Sequence, residues 1–263
     1  MQIAGSSVLL TGATGGIGRA IARELSVRGA ELVLTGRRLD ALQPLAVELD
    51  ARAIPADLNE RAELERLLDD VSEVDILVAN AGIPAAGRLE SFSLAEVDRT
   101  LAVNLGAPVA LARALLPGML ERARGHLVFI SSIGGKMVVP GDPLYHATKW
   151  GMRGFAAALR TDLRGSGVGV SCLFPGFIRD AGMFADTGVE LPPGLGTRSP
   201  EDVARAAAEA IERDRGEIDV ASLPQRAGVI AAGLLPDLAT RVIRRLGGLE
   251  IAEQMERRMM DKR

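Results

Sequence analysis

Hydrophobic and polar positions follow two alternating patterns along the chain. Short runs rich in Val, Leu and Ile predict buried strands at residues 7–11, 31–35, 75–79, 126–131, 168–174 and 217–220. Longer amphipathic stretches near residues 16–28, 39–49, 61–71, 94–122 and 143–164 predict helices. Continuously apolar strands indicate a sheet that is covered on both faces. The order therefore predicts an α/β fold with a doubly wound parallel sheet flanked by helices.

Two helix starts carry specific capping residues. Ser93 with Glu96 predicts a capping box, and Ser199 followed by a proline and two acids predicts a second helix beginning there. We see no internal repeat, low-complexity tract or interdomain linker. We therefore expect one domain over residues 1–263, with about residues 222–263 forming a helical C-terminal extension.

Composition and charge exclude several classes of protein. The 263 residues are 48% hydrophobic with a net charge of −3, and no basic stripe is present, so nucleic acid is not an expected partner. A single cysteine, Cys172, and an N-terminus without the layout of a signal peptide predict a cytoplasmic protein. The uncharged apolar run at residues 227–236 is about half of the roughly 20 residues that cross a bilayer. We expect no transmembrane span, and contact with a membrane surface stays open.

A glycine-rich turn joins the first predicted strand to the first helix. It reads Thr11-Gly12-Ala13-Thr14-Gly15-Gly16-Ile17-Gly18. Glycines in this place allow the backbone to approach a pyrophosphate, whose charge is stabilised by the helix N-terminus. The turn therefore predicts a Rossmann-type dinucleotide site, although glycines also mark ordinary turns.

The end of the second strand predicts which dinucleotide binds. NAD-binding folds normally place an acid here, whereas this chain has Gly36-Arg37-Arg38. Two guanidinium groups would attract the 2′-phosphate of NADP(H). The alternative, a solvated charge pair at a helix start, places positive charge where the helix dipole disfavours it.

Candidate acid-base chemistry lies on the helix at residues 143–164. Tyr145 and Lys149 are four residues apart and so share a helix face, where a lysine can stabilise a phenolate. Such a pair is often incidental when it stands alone. Ser132 follows the strand at residues 126–131 and could hold a substrate oxygen, with Ser131 as the competing candidate.

Together these motifs resemble the short-chain dehydrogenase/reductase family, in its conventional branch. The likeness runs from about Ser6 to Val220, through TGATGGIG, Asp57-Leu58, Asn80-Ala81-Gly82, Asn104, Ser132, Tyr145 with Lys149, and Pro175-Gly176. It implies a dinucleotide-binding catalytic domain in which Tyr145 is the general acid-base and Lys149 lowers its pKa. It further implies that Ser132, rather than Ser131, orients the substrate oxygen and that Asn104 holds a proton relay.

The resemblance also implies the cofactor contacts and the absence of a metal. NADP(H) contacts are expected from Gly12, Thr14, Gly16, Ile17, Gly18, Arg37, Arg38, Asp57, Leu58, Asn80, Ala81, Gly82, Tyr145, Lys149, Pro175 and Gly176. One departure is Asp180, where the family commonly has a threonine, because a carboxylate would repel pyrophosphate unless a cation such as Arg179 intervenes. The second departure is the tail of about forty residues after residue 220.

The expected function is an NADP(H)-dependent oxidoreductase that moves a hydride between the nicotinamide and a carbonyl or alcohol. The alternatives are a non-catalytic NADP(H)-sensing or scaffold protein, and an epimerase or dehydratase of the longer branch of the superfamily. Apolar residues within 134–144 and 181–197 indicate an apolar substrate. The two long helices, at residues 94–122 and 143–164, are the expected interface of at least a homodimer.

The C-terminal tail predicts an amphipathic helix. Its apolar residues Leu238, Ala239, Val242, Ile243 and Leu246 share one face, and its basic residues Arg241, Arg244 and Arg245 share the other. Such a face requires a cover, which is either the protein's own core or partner subunit, a lid over the substrate cleft, or a membrane surface.

Overall fold

The computed structural model describes residues 1–71, 73–189, 191–192, 194–245, 253–254 and 256–258. Within these residues, seven parallel strands form one sheet in the order β3-β2-β1-β4-β5-β6-β7. Their bounds are β1 Ser7–Thr11, β2 Glu31–Gly36, β3 Arg52–Pro55, β4 Ile76–Ala79, β5 Gly125–Ile130, β6 Val168–Pro175 and β7 Glu217–Val220. The predicted doubly wound, Rossmann-type sheet is confirmed.

Helices cover both faces of the sheet. They are α1 Gly16–Val27, α2 Leu39–Glu48, α3 Arg61–Asp70, α4 Leu94–Leu101, α5 Ala107–Glu121, α6 Pro143–Asp162, α7 Pro200–Arg213, α8 Leu223–Leu234 and α9 Pro236–Arg245. Helices α1, α2 and α7 pack on one face, and α3, α5 and α6 pack on the other. Both faces of strands such as β1 and β4 are therefore buried, which explains their continuously apolar sequences.

Two features differ from the pattern of the sequence. The predicted strands did not include β3, because its four residues form a half-exposed edge strand that ends on Pro55. The helix expected at residues 94–122 is divided by a short π-helix, Ala102–Gly106. Both predicted capping boxes are present, since Ser93 pairs with Glu96 and Ser199 pairs with Asp202.

The stretch Leu94–Glu121 is long and apolar enough to cross a membrane by length and composition, and it is the one such stretch among the described residues. Leu111, Ala112 and Met119 on this stretch are buried against the sheet. Packing as a core helix therefore accounts for its apolar composition.

Candidate active site

The glycine-rich turn packs tightly at the carboxyl end of β1. Gly12 has a φ of +64°, and a Cβ atom there would lie 2.8 Å from the Cα of Ala81. A side chain at Gly18 would clash with the carbonyl oxygen of Gly12. Helix α1 begins at Gly16 and has no acid in its first turn, so its N-terminus can receive an anion. Ile17 and Thr14 are half-buried beside this turn.

Two exposed guanidinium groups follow β2 on the neighbouring strand. Arg37 and Arg38 are exposed and form no ion pair with any described residue. Gly36 lies against Thr14, whose hydroxyl would be 3.4 Å from a Cβ at position 36. The space where an acidic side chain would stand is therefore next to the glycine-rich turn and is bordered by positive charge.

The loop after β4 is fastened to the end of β1. The backbone N–H groups of Asn80 and Ala81 both donate to the Thr11 hydroxyl at 3.0 Å. The Asn80 amide donates to the carbonyl oxygens of Thr11 and Gly12, at 3.1 Å each. Asn80-Ala81-Gly82 therefore forms one wall of the cleft beside the glycine-rich turn.

Asp57 and Leu58 follow β3 with different environments. The Asp57 carboxylate accepts a hydrogen bond from the Asn59 backbone N–H at 3.0 Å, which is an Asx-turn. Leu58 is buried in the core, so its side chain is not available to contact a cofactor. Asp57 is half-buried at the same edge of the sheet as Asn80.

Asn104 lies in the π-helix between α4 and α5 and is buried. Its side-chain oxygen accepts from the Ile83 N–H at 2.8 Å, and its amide donates to the Ile83 carbonyl at 3.0 Å. Asn104 thereby holds the segment that continues from Gly82, and its side-chain oxygen lies beside Gly82. π-helical turns of this kind are frequent at functional sites.

The structure separates the roles of the two serines after β5. The Ser131 hydroxyl is buried and donates to the backbone carbonyl of Lys149 at 3.0 Å, so Ser131 fastens α6 to the strand. The Ser132 hydroxyl accepts from the Gly134 N–H at 3.0 Å and also hydrogen-bonds with Tyr145. Ser132 is therefore the serine that faces the tyrosine.

Tyr145 and Lys149 share the inner face of α6. The Lys149 ammonium lies 5.6 Å from the centre of the Tyr145 ring and donates to the Ile130 carbonyl at 3.1 Å. Burial lowers the pKa of Lys149 to about 8. Burial also raises the pKa of Tyr145, while the hydrogen bond with Ser132 acts in the opposite direction. The charge of Lys149 therefore has to offset the cost of burying the Tyr145 phenolate, and the sequence alone did not reveal this cost.

His146 holds the loop that follows Ser132. Its Nε2 accepts from the Val139 N–H at 3.0 Å, so the proton is on Nδ1, which donates to the Gly134 carbonyl at 2.7 Å. Burial lowers the pKa of His146, which favours this neutral form. A Cβ atom at Gly134 would lie 3.3 Å from the Tyr145 ring, so this loop lies close to the tyrosine. The sequence alone did not single out His146 or Gly134, because their partners lie on another segment.

The segment after β6 completes the cleft. Pro175 ends the strand and Gly176 donates to the Val220 carbonyl at 2.9 Å. A side chain at Gly16 would clash with Ala181, so this segment crosses the start of α1. The Asp180 carboxylate pairs with the Arg179 guanidinium at 3.2 Å. Arg179 is thus the cation expected to offset the repulsion between Asp180 and a pyrophosphate. The Met183 methyl group reaches the cleft floor beside Gly82.

A further residue that the sequence did not mark is Gln225 on α8. Its amide donates to the Gly196 carbonyl at 2.7 Å, and its oxygen accepts from the Phe177 N–H at 3.3 Å. Gln225 is buried and any side chain at Gly176 would clash with it. The tail therefore contributes directly to the wall that follows Gly176.

The residues singled out in the sequence come together at the carboxyl ends of β1, β2, β4, β5 and β6, which is where open α/β sheets bind ligands. The glycine-rich turn and the two arginines occupy one side of this edge. Asn104, Ser132, Tyr145 and Lys149 occupy the other side. The arrangement can therefore hold an elongated anionic ligand along one end and perform acid-base chemistry at the other.

Comparison with known proteins identifies the class. The chain matches the model of the short chain dehydrogenase family over residues 6–190. It is 36% identical over 231 residues to "Ketoacyl reductase HetN" of Nostoc sp., covering 84% of this chain and 80% of that protein.

Two solved structures have the same fold. A short-chain dehydrogenase from Sphingobium yanoikuyae in complex with NADPH has a TM-score of 0.76 and 26% identity, covering 89% of this chain and 95% of that one. A metagenomic short-chain oxidoreductase in complex with NADP has a TM-score of 0.70 and 32% identity, covering 84% and 98%. This chain belongs to the short chain dehydrogenase family. It is an oxidoreductase that acts on CH–OH and C=O groups with a nicotinamide cofactor.

Proposed function

We propose that the protein is an NADP(H)-dependent reductase or dehydrogenase whose chemistry is carried by Ser132, Tyr145, Lys149 and Asn104. The observation that supports it best is the position of Tyr145 between the Ser132 hydroxyl and the Lys149 ammonium on the floor of one cleft. When bound, the nicotinamide supplies or accepts the hydride. Tyr145 gives or takes the proton at the substrate oxygen, and the Ser132 hydroxyl orients that oxygen.

Lys149 stabilises the phenolate form of Tyr145 by its charge and holds the cofactor ribose. Asn104 shapes the helix at this point and supports a proton relay towards Lys149, because its side chain lies beside Gly82 near the ammonium. The remaining cofactor contacts come from the glycine-rich turn, from Asp57 and Leu58, from residues 80–82, and from Pro175 and Gly176.

The preference for NADP(H) over NAD(H) rests on Arg37 and Arg38. Both are exposed and lack an ionic partner in the described part of the chain, so neither guanidinium is neutralised before a 2′-phosphate arrives. Charge-assisted hydrogen bonds from arginine to phosphate are among the strongest polar contacts in proteins. The absence of an acid at Gly36 removes the group that would repel this phosphate.

The substrate is proposed to be an apolar carbonyl compound or alcohol. The rings of Phe177 and Phe184 pack with their centres 4.7 Å apart on the segment that lies beyond Gly176. Met183 adds a flexible apolar side chain next to the cleft floor. The substrate end of the cleft is therefore lined mainly by aromatic and thioether groups.

A screen of aldehydes, ketones and 3-oxoacyl compounds tests this function by following NADPH consumption, with alcohols in the reverse direction. Tyr145→Phe should lower turnover on any substrate found by about 10²–10⁴-fold and leave NADPH binding nearly unchanged. Thr161→Val, which removes an exposed hydroxyl group from the same helix, is the matched control. Equal turnover by Tyr145→Phe and the wild type would reject the assignment.

The assembly is proposed to be at least a homodimer, formed through α4, α5 and α6 in a cytoplasmic protein with one catalytic domain. Leu94, Leu101 and Leu120 are exposed on one helical stretch, and Trp150 is exposed on α6. Light scattering at micromolar concentration should give at least twice the mass of one chain, and a monomeric mass would contradict this proposal.

A further inference from the structure

Helix α8 presents an apolar face to solvent. Leu223, Ala227, Ile230 and Leu234 recur at helical spacing, and all four are exposed, with Leu234 at 75% and Leu223 at 74%. The opposite face carries Gln225, whose hydrogen bonds to residues 177 and 196 fix the orientation of the helix. The apolar stripe is thus directed outward by anchored contacts on the inner face.

Helix α9 extends this apolar surface. Leu235 joins the two helices, and Leu238 and Val242 of α9 are exposed beside it. Ala239 and Ile243 are partly covered, and α9 packs along α8. The exposed apolar side chains of α8 and α9 are called the tail surface below. Leu246 of the amphipathic pattern lies outside the described residues.

The tail surface is bordered by positive charge. Residues 221–245 contain four arginines and a single acid, Asp237, whereas the whole chain has a net charge of −3. Arg241, Arg244 and Arg245 share the polar face of α9, where the helical spacing places Arg241 and Arg245 next to Leu238. The local charge is therefore opposite in sign to that of the rest of the molecule.

The two described glutamates that follow α9 in sequence have partners on another segment. Glu253 pairs with Arg88 at 3.5 Å, and Glu256 accepts a hydrogen bond from the Ser91 hydroxyl at 2.7 Å. Both glutamates are thus held against the 3₁₀ turn Leu89–Ser91, and Glu250 lies outside the described residues. Within the described part of the chain, Arg241, Arg244 and Arg245 form no ion pair, so they can interact with an external anion.

We propose that the tail surface docks on an anionic lipid bilayer, with α8 and α9 lying in the interface plane. Apolar side chains would enter the acyl boundary and the arginines would contact anionic headgroups. A second copy of the chain fits less well, because two such surfaces would bring their arginines together. A lid over the cleft would turn the apolar stripe inward, whereas Gln225 holds it outward.

Docking would place the cleft close to the bilayer. Gln225 contacts the segment after Gly176, and Gly228 lies near Met137 on the loop that follows Ser132. The base of α8 therefore borders the substrate end of the cleft. An apolar substrate dissolved in the bilayer would then have a short path to Tyr145; this extension rests on the function proposed above, whereas the docking does not.

Co-sedimentation of the full-length protein with lipid vesicles tests the docking. We expect binding to vesicles that contain phosphatidylglycerol, much weaker binding to vesicles of phosphatidylcholine alone, and loss of binding as salt shortens the Debye length from about 8 Å to about 3 Å. Arg241→Glu with Arg244→Glu should weaken binding by at least about 25-fold, since each arginine near a bilayer contributes about fivefold. Ile230→Ser with Leu234→Ser should weaken it by at least about tenfold.

Arg61→Glu with Arg66→Glu is the matched control, because these arginines are exposed on α3, away from the tail surface. The control should bind vesicles as the wild type does, and the tail variants should keep wild-type turnover on a water-soluble carbonyl substrate. The proposal is overturned if the wild type does not sediment with anionic vesicles, or if the control and the tail variants bind equally. It is also overturned if the tail variants lower the molecular mass in light scattering, because a second copy then covers the surface. Vesicle binding needs no turnover, so a failure of the proposed enzymatic function would be seen separately.

Discussion

Replacing Lys149 by methionine should change the pH at which the enzyme oxidises an alcohol. The Lys149 ammonium is buried, donates to the Ile130 carbonyl and lies 5.6 Å from the centre of the Tyr145 ring. Its pKa, which burial lowers to about 8, leaves about nine in ten of these groups charged at pH 7. The substitution therefore removes a positive charge that is present during catalysis at neutral pH.

The size of the effect follows from the distance. Taking the 5.6 Å between the Lys149 ammonium and the centre of the Tyr145 ring as the separation of the two charges, their interaction is about 3 kcal/mol at an effective dielectric constant of about 20. Since one pKa unit corresponds to about 1.4 kcal/mol, Lys149→Met should raise the pKa of Tyr145 by about two units. Burial and the Asp142 carboxylate already raise the pKa of Tyr145, and the hydrogen bond with Ser132 acts in the opposite direction.

Alcohol oxidation requires Tyr145 as a phenolate, so the acidic limb of kcat against pH should move upward by about two pH units. NADPH binding should weaken as well, because Lys149 is proposed to hold the cofactor ribose. Lys136→Met is the control, since the Lys136 ammonium is also largely buried but pairs with Glu217 at 2.8 Å and Asp219 at 2.6 Å on β7. A well-folded Lys149→Met enzyme whose acidic limb stays at the wild-type pH would refute the electrostatic reasoning.

Three further predictions concern the cofactor, the substrate oxygen and stability. Arg37→Ala should weaken NADPH binding about ten- to a hundredfold and leave NADH binding almost unchanged, whereas Arg61→Ala should change neither; a wild type that prefers NADH would contradict this. Ser132→Ala should lower kcat about 10²–10³-fold, while Ser131→Ala should act mainly on stability, by about 1 kcal/mol, and equal kinetic effects would show that the two roles are misassigned. Burial lowers the pKa of His126 to about 4, so the unfolded chain takes up this proton first as the pH falls below about 6.5. The free energy of unfolding should therefore have its full value above pH 6.5, and it should be about 3 kcal/mol lower at pH 4. Urea denaturation at a series of pH values should show a smaller fall for His126→Gln, and an equal fall would contradict the assignment.

Local patterns made much of the fold predictable. Strand β4 is apolar at every position because both its faces are covered, and the helix starts at Ser93 and Ser199 depend on residues only three positions apart. Strand β3 was missed for the converse reason. It lies at the edge of the sheet and buries few side chains, so its sequence shows no apolar run. The π-helix at Ala102–Gly106 was also missed, because one added residue in a helical turn leaves the apolar periodicity nearly unchanged.

Local residue patterns were sufficient to predict the parallel sheet, the glycine-rich turn, the two arginines after β2 and the shared helix face of Tyr145 and Lys149. Each depends on neighbours within a few residues, where backbone geometry is set by residue type. Packing was needed to show that Ser131 hydrogen-bonds to the Lys149 backbone while Ser132 faces Tyr145. It also showed that burial shifts the pKa values of Tyr145 and Lys149. The outward direction of the apolar face of α8 likewise depends on the tertiary contacts of Gln225. These depend on contacts between segments far apart in the chain, and on the loss of water that packing causes, neither of which a local pattern records.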